Sequence, residues 1–409
     1  MSLLPLEGHE ETRRAVVRAL GDGALPAALL VSGPPGVGKQ RLALWVGQLV
    51  LCETPGDAGP CGSCPGCSMS VSLQHPDMHW HFPLPRPRAT RPDRLADALE
   101  EARAEVLAER RSKPLYPTAP PAGAIYLAAV RRIRSASTQR PALGGEHVFV
   151  IGEAERLVPQ EAGQEAGNAL LKVLEEPPGP CRFILTSSEP AGLLPTIRSR
   201  TVPITLAPLP ISSVADFLRE RSDSSADEVE KAAALSRGSI GRALGFLERD
   251  GEPGELETVR QEAFGLVGSA LAGVVEMRRL EADGSGRRDG CFPRPNLGRV
   301  YKSVLGFGPR QGTNHDLLLS FVEEWLRDLG AVGTGAPEQI WNRDSLDRLE
   351  RVVERTGILP SDVADACDHV SQARELLKGN VNPQLAIYGL LLALTRSAAR
   401  TPARPRAGA

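Results

Sequence analysis

Two groups of residues in this 409-residue sequence carry chemistry by type and spacing. The first is Gly33-Pro34-Pro35-Gly36-Val37-Gly38-Lys39-Gln40, which follows the apolar run Ala28 to Ser32 and opens a helix-forming stretch. That is the strand–loop–helix setting that the GxxxxGK[ST] motif requires. Such a loop holds phosphate oxygens on backbone amides at a helix N-terminus, and its lysine adds a point charge to the outer phosphates. Gly33, Gly36, Gly38 and Lys39 are therefore the candidate phosphate-binding residues. The eighth position departs from the motif. A Ser or Thr hydroxyl there coordinates Mg²⁺, which demands near-octahedral ligands at about 2.0–2.1 Å, whereas Gln40 carries a longer neutral amide. Phosphate contact is compatible with this exchange; positioning of Mg²⁺ is not.

A working phosphate loop needs a second element, an apolar strand ending in Asp-Glu, in which the Asp helps hold the metal and the Glu polarises the attacking water. Val148-Phe149-Val150-Ile151 is such a strand, but it ends in Gly152-Glu153. Two ligands are thus missing from one metal site. Phosphoryl transfer depends mainly on positioning and metal electrostatics, so little or no ATP hydrolysis is expected, and ATP binding in the chain's own site is in doubt.

The second group is Cys52, Cys61, Cys64 and Cys67. Two x2 intervals let neighbouring sulfurs converge, and the Gly/Pro-rich segment between Cys52 and Cys61 can loop back, giving four thiolates for a tetrahedral Zn²⁺. Four Cys ligands leave no open coordination position, so such a zinc is structural. An iron–sulfur cluster also uses C-x2-C-x2-C runs, although no Cys-Pro follows at the x3 spacing, and disulfides or free thiols are a further reading. His75, His79 and His81 are read as strand residues rather than ligands, and Cys181, Cys291 and Cys367 as isolated, buried small hydrophobes.

The elements that must position these groups follow from periodicity and capping signals. A helix at 9–20, a buried strand Ala28 to Ser32 and a helix Gly38 to Leu51 precede the cysteines, and an extended piece runs from about Asp77 to Phe82. Residues 83–121 are Pro- and Arg-rich at both ends with a charged helix at about 93–111, and read as an insertion. Helix 125–137, strand 148–151, helix 160–175, strand 183–187 and strand 202–206 then alternate in the manner of a parallel sheet covered by helices. After Pro208 the strands stop: short helices at about 211–221, 226–236 and 239–248 give way to longer ones between Glu255 and Arg396, broken by a loop at 283–298 that, with Arg299 just beyond it, carries Arg287, Arg288 and Arg294.

Composition bounds the function. The 48 Lys+Arg and 50 Asp+Glu leave a net charge of −2, which argues against a surface wholly devoted to nucleic acid or anionic lipid. No run of eighteen apolar residues and no basic, then apolar, leader is present, so neither a membrane span nor a signal peptide is expected and the cytoplasm is the expected compartment.

Three strings follow the phosphate loop: Asn168-Ala169-Leu170-Leu171-Lys172-Val173-Leu174-Glu175-Glu176-Pro177-Pro178, Phe183-Ile184-Leu185-Thr186-Ser187-Ser188-Glu189-Pro190 and Thr196-Ile197-Arg198-Ser199-Arg200-Thr201. In type and order they resemble the AAA+ clamp-loader subunits of bacterial DNA polymerase III, delta-prime branch, over residues 6–250. Leu326-Arg327-Asp328-Leu329 and Asn380-Val381-Asn382-Pro383-Gln384-Leu385 extend a weaker likeness to the C-terminal helices.

The resemblance implies an α/β P-loop AAA+ domain with a parallel sheet and zinc module, followed by a small helical lid domain and an all-α C-terminal collar domain. On this sequence these fall at 1–208 (zinc module 52–67, insertion about 83–121), 209–250 and 251–399, with a disordered tail at 400–409. It also implies zinc at the four cysteines. The family's Ser-Arg-Cys motif supplies an arginine finger to a neighbour's ATP; here it reads Ser199-Arg200-Thr201, with Arg200 retained. A polar sensor residue falls at Thr186 or Ser187, while the lid sensor Gly-Ser-x-Arg reads Gly238-Ser239-Ile240-Gly241-Arg242. That one-residue delay turns the side chain about 100° round a helix, so Arg242 is expected to be structural. The implied partners are tau/gamma and delta subunits in a hetero-pentameric ring, the sliding clamp, and primed DNA through the assembly, within a DNA-directed DNA polymerase (nucleotidyltransferase) holoenzyme. The alternative is a catalytically active, tau/gamma-like ATPase, against which Gln40 and Gly152 both speak. A zinc-dependent DNA-binding protein is disfavoured by the absence of a basic helix in the cysteine module.

Overall fold

The computed structural model describes residues 6–87, 94–112, 123–143, 145–157, 165–282, 304, 315–378 and 381–400. The ends of the insertion, the loop with Arg287, Arg288, Arg294 and Arg299, Cys291, the start of the 160–175 helix and residues 401–409 of the tail lie outside them. The chain divides into two compact units, Met1–Leu247 and Glu248–Ala409.

In the first unit five strands form one parallel sheet: β1 (Ala28–Ser32), β2 (Met78–His81), β3 (His147–Ile151), β4 (Cys181–Ser187) and β5 (Val202–Thr205), in the order β2-β3-β4-β1-β5. Every residue of β1 and β3 is buried, as a sheet covered on both faces requires. The period-2 alternation of strand side chains sorts them onto those faces. Leu29, Val31, Val148 and Val150 pack with Leu42 and Val46 of α2 (Lys39–Val50) and with α1 (Glu10–Gly21). Leu30, Phe149, Ile151 and Phe183 pack with Val130 and Ile133 of α5 (Leu127–Ser137) and Leu170 of α6 (Glu165–Glu175). The edge strand β5 is mostly exposed and contains Pro203, which removes a backbone donor that another chain could pair with.

Among the described residues two further helices lie between β1 and β3. A short helix α3 (Pro65–Val71), not anticipated from sequence, begins inside the cysteine group: Cys64 caps its N-terminus and Pro65 occupies its first turn, where a proline's missing N–H is harmless. The insertion contributes α4 (Leu95–Ser112), whose Leu99 is buried and whose Leu95, Ala102, Val106 and Leu107 pack against the same face as α2. Helices α7 (Pro195–Arg198), α8 (Ile211–Arg221), α9 (Ala226–Ser236) and α10 (Ile240–Phe246) complete the unit. Ser225 and Glu228 form a reciprocal capping box at the start of α9, as the S/T-x-x-E pattern predicts.

The second unit is helical in its described residues: α11 (Glu255–Ala282), α12 (His315–Thr334), α13 (Leu346–Thr356), α14 (Pro360–Lys378) and α15 (Pro383–Arg400). Its buried polar groups are paired. The Arg260 guanidinium, 0% exposed, donates to Glu257, Asn342 and Asp344 at 2.7–3.0 Å. Asp328, also 0% exposed, accepts from the backbone N–H groups of Trp341 and Asn342 at 3.0 and 2.8 Å. Removing one partner of such a buried pair leaves an uncompensated charge.

Candidate functional site: a closed phosphate loop and a four-cysteine group

The phosphate loop joins β1 to α2. Gly36 adopts φ 75°, and a Cβ there would stand 2.8 Å from the backbone nitrogen of Arg242. Glycine is needed for both reasons. The close approach arises because the N-terminus of α10 rests on the loop, with Gly241 N–H donating to Gly36 O at 3.0 Å. Lys39 is buried and turned back: its Nζ donates to Gly33 O at 2.9 Å and Pro34 O at 2.7 Å. Burial pushes this ammonium down to about 8, against the pull of Glu155 and Glu153. The lysine is thereby engaged by the loop's own carbonyls.

Gln40 and Gly152 meet. A Cβ on Gly152 would lie 3.0 Å from Gln40 Cδ and Nε2 and 3.2 Å from Oε1. The amide fills the space in which an aspartate at the end of β3 would stand. The residues present therefore do not fit Mg²⁺: the hydroxyl and the carboxylate are both replaced, and the Gln40 amide takes the space that a side chain at Gly152 would need.

Glu153 has φ 52° and is held by two contacts. Its N–H donates to Thr186 Oγ1 at 3.1 Å and its carboxylate pairs with Arg156 Nε at 2.9 Å. Burial raises its pKa, and Arg156 is the largest opposing influence. Thr186 and Ser187 are both fully buried; Ser187 Oγ accepts from Glu189 N–H at 3.1 Å, so each hydroxyl serves backbone geometry. Arg242 Nε donates to Leu235 O at 3.3 Å, and its guanidinium lies 5.5 Å from the centre of the Phe246 ring, which agrees with the structural role expected from its displaced position.

Arg200 follows α7. It forms an ion pair with Glu175 at the end of α6, and its Nη1 donates to Thr196 O at 3.1 Å. Both members of the pair remain partly exposed, at 37% and 43% of their side chains, a setting in which ion pairs contribute only about 0–1 kcal/mol. Thr201 accounts for its own presence: its buried hydroxyl donates to the carbonyls of Ile197 and Arg198 at 3.2 Å, closing the end of α7.

The four cysteines come together: Cys52, Cys61, Cys64 and Cys67 place their Sγ atoms within 4.8 Å of one another. The sulfurs also accept backbone N–H groups, Cys61 N–H to Cys52 Sγ at 3.3 Å, Cys64 N–H to Cys61 Sγ at 3.4 Å and Cys67 N–H to Cys64 Sγ at 3.3 Å. Amides aimed at sulfur stabilise thiolate, so the donor set fits a metal ion such as zinc. Gly66 permits the arrangement, since a Cβ there would meet Leu51 O at 2.3 Å. Among the described residues no histidine joins the group. His75 and His81 are buried on or beside β2. Cys181 is buried as expected, whereas Cys367, on α14, is only half-buried.

Three residues of the site were not anticipated. Arg156 and Glu153 are an i, i+3 pair that sequence spacing could have flagged. Glu175 meets Arg200 across two elements, and Arg110 reaches the rings of Trp80 and Phe82 from the insertion; neither has a local signal.

A phosphate loop between the first strand and helix of an all-parallel sheet, with a second motif on β3 and helices packed on the loop, defines a P-loop α/β protein of the AAA+ type. Residues 8–210 match the family described as "DNA polymerase III, delta subunit". Through this region the chain belongs to the clamp-loader delta-prime family of DNA polymerase III. It is 34% identical over 231 residues to DNA polymerase III subunit delta' of Pseudomonas aeruginosa, covering 56% of this chain and 58% of that one. The corresponding Escherichia coli subunit is 31% identical over 223 residues, 54% and 55% of the two chains. Subunit tau of Salmonella typhimurium is 27% identical over 267 residues, 64% of this chain and 35% of that one. The chain thus spans little more than half the length of the delta-prime relatives it matches.

Proposed function

We propose that this chain is an ATPase-deficient clamp-loader subunit that completes an AAA+ ring, presents Arg200 to the ATP of a neighbouring subunit and helps load a sliding clamp onto primed DNA. The observation that carries this reading is the packing of the Gln40 amide against Gly152, in the position that an aspartate side chain there would occupy. A self-sufficient, tau/gamma-like ATPase would need that position open. Gly33, Gly36, Gly38 and Lys39 then serve as a rigid turn between β1 and α2, and Glu153 as a structural carboxylate paired with Arg156.

Arg200 is the one functional cation of this reading. A guanidinium delivered to a transferring phosphate is worth about 10³–10⁵ in rate where it operates. Its present partner, Glu175, holds it only through a half-exposed ion pair, so the energy needed to release it is small. Tau/gamma and delta subunits in a hetero-pentamer are the partners this reading assigns, in the cytoplasm; among the described residues no helix is long and apolar enough to cross a membrane. The division into P-loop domain (1–208), lid (209–250) and collar (251–399) belongs to the same proposal. Cys52, Cys61, Cys64 and Cys67 would hold a structural zinc, which cross-links the end of α2 to α3 when bound.

The test is reconstitution with catalytic partner subunits. Arg200→Ala should reduce DNA-stimulated hydrolysis by the neighbour by at least tenfold, while Glu175→Gln should leave it unchanged or raise it. Unchanged hydrolysis with Arg200→Ala removes the finger assignment.

A further inference from the structure

Helix α4, between β2 and α5, seats one of its residues on the rings that extend β2 toward the altered nucleotide site. β2 and β3 run in parallel with Trp80 beside Val150 and His81 beside Ile151. Gly152 N–H then donates to His81 O at 2.8 Å, which brings Phe82 level with Gly152, one strand spacing of about 4.8 Å away. Trp80 and Phe82, two residues apart, share a face. Both are buried in the cluster that contains Leu42 and Val46 of α2, the helix whose Gln40 covers Gly152.

Arg110, near the end of α4, lies against this pair of rings. Its guanidinium carbon is 4.2 Å from the centre of Trp80 and 4.0 Å from that of Phe82, and the residue is 9% exposed. Helix α4 is anchored for the purpose: Val106 and Leu107, one turn before Arg110, pack into the core, and Arg103 donates to Trp80 O at 3.2 Å. A guanidinium held against two aromatic rings that meet edge to face has its charge fixed in space, and desolvation strengthens that contact. The fixed charge stands at the end of β2, on the face of the sheet from which the aspartate of an intact second motif would project. Arg110 is also among the cations that favour the charged form of Glu153.

We infer that Arg110 takes the electrostatic place of the divalent cation in this site. Supplied by the insertion, it adds to Arg156 in balancing the Glu153 carboxylate without a metal and repels any divalent ion that would enter. The inference rests on the reading of the chain as non-catalytic and adds a cause to it: the site is not merely missing ligands but carries a permanent positive substitute. A buried permanent charge of this kind excludes a second cation far more effectively than a solvated one does.

The experiment uses the full chain, with Mn²⁺ in the presence of ADP as the probe and binding followed by electron paramagnetic resonance. Gln40→Thr with Gly152→Asp restores both oxygen ligands. If Arg110 bars the ion, this double variant should bind Mn²⁺ weakly, and adding Arg110→Met should tighten binding at least tenfold, the methionine keeping an apolar stem against the rings. Adding Arg110→Lys instead should leave binding weak, because charge is retained. Should the methionine variant fail to fold, Arg110→Gln tests the same loss of charge. Tight Mn²⁺ binding by the double variant with Arg110 in place, or equal affinities for the arginine, methionine and glutamine forms, would overturn the inference. Brisk ATP hydrolysis by the unmodified chain would instead defeat the non-catalytic reading, so the two failures are distinguishable.

Discussion

The side-chain amide of Gln40 lies on Gly152, 3.0 Å from the point where a Cβ on that residue would stand. Two departures from the phosphate-loop pattern, one on α2 and one at the end of β3, are therefore a single exchange of volume between touching positions.

This contact predicts coupling. Gly152→Asp alone forces the amide aside and introduces a carboxylate into a packed position, and should destabilise the chain by about 1–3 kcal/mol. In a Gln40→Ser background the same change should be nearly neutral, because the space has been vacated. A double-mutant cycle by urea denaturation reads the difference; additive effects would show that the two side chains are independent.

The zinc assignment predicts one equivalent of metal per chain after purification without chelator. Removal by a chelator, or Cys67→Ser, should lower the melting temperature. A loss of about 2 kcal/mol corresponds to roughly 4–8 °C for a unit of this size. Metal analysis that returns no zinc, together with a melting temperature insensitive to chelator, would count against it.

Acid sensitivity follows from the histidines of β2. Burial, with Arg103 next in importance, pushes His81 down to about 3, and burial with neighbouring His147 and Arg103 pushes His79 to about 4. An unfolded histidine titrates near 6.5, so between these values the unfolded chain binds more protons than the folded one. Stability is thus fully present above about pH 6.5 and is lost as pH falls toward 3, at about 1.4 kcal/mol per unit for each group. His81→Leu should flatten that slope by about one proton when stability is measured by urea denaturation from pH 4 to 7. Parallel slopes for the two proteins would contradict the assignment.

The parts of this molecule that were legible in sequence are those whose signal is local. The apolar runs 28–32, 148–151 and 183–187 announced buried strands, Gly36 and Lys39 announced the loop, and Cys61, Cys64 and Cys67 lie close enough in sequence to predict their convergence. Helix α3 had a readable start in Cys64-Pro65, but its seven residues were too short for a periodic pattern. What could not be read depends on register between distant elements. The meeting of Arg110 with Trp80 and Phe82, and that of Arg200 with Glu175, are set by how helices seat on the sheet. Likewise, Gln40 and Gly152 were each visible as departures, while their contact is a fact of packing.

The central claim, that this AAA+ chain is built not to hydrolyse ATP, is tested most directly by turnover of the purified chain with saturating Mg²⁺ and ATP, with and without primed DNA. The account predicts no hydrolysis above that of a Lys39→Ala control. Brisk Mg²⁺-dependent turnover that is abolished by Lys39→Ala would contradict it.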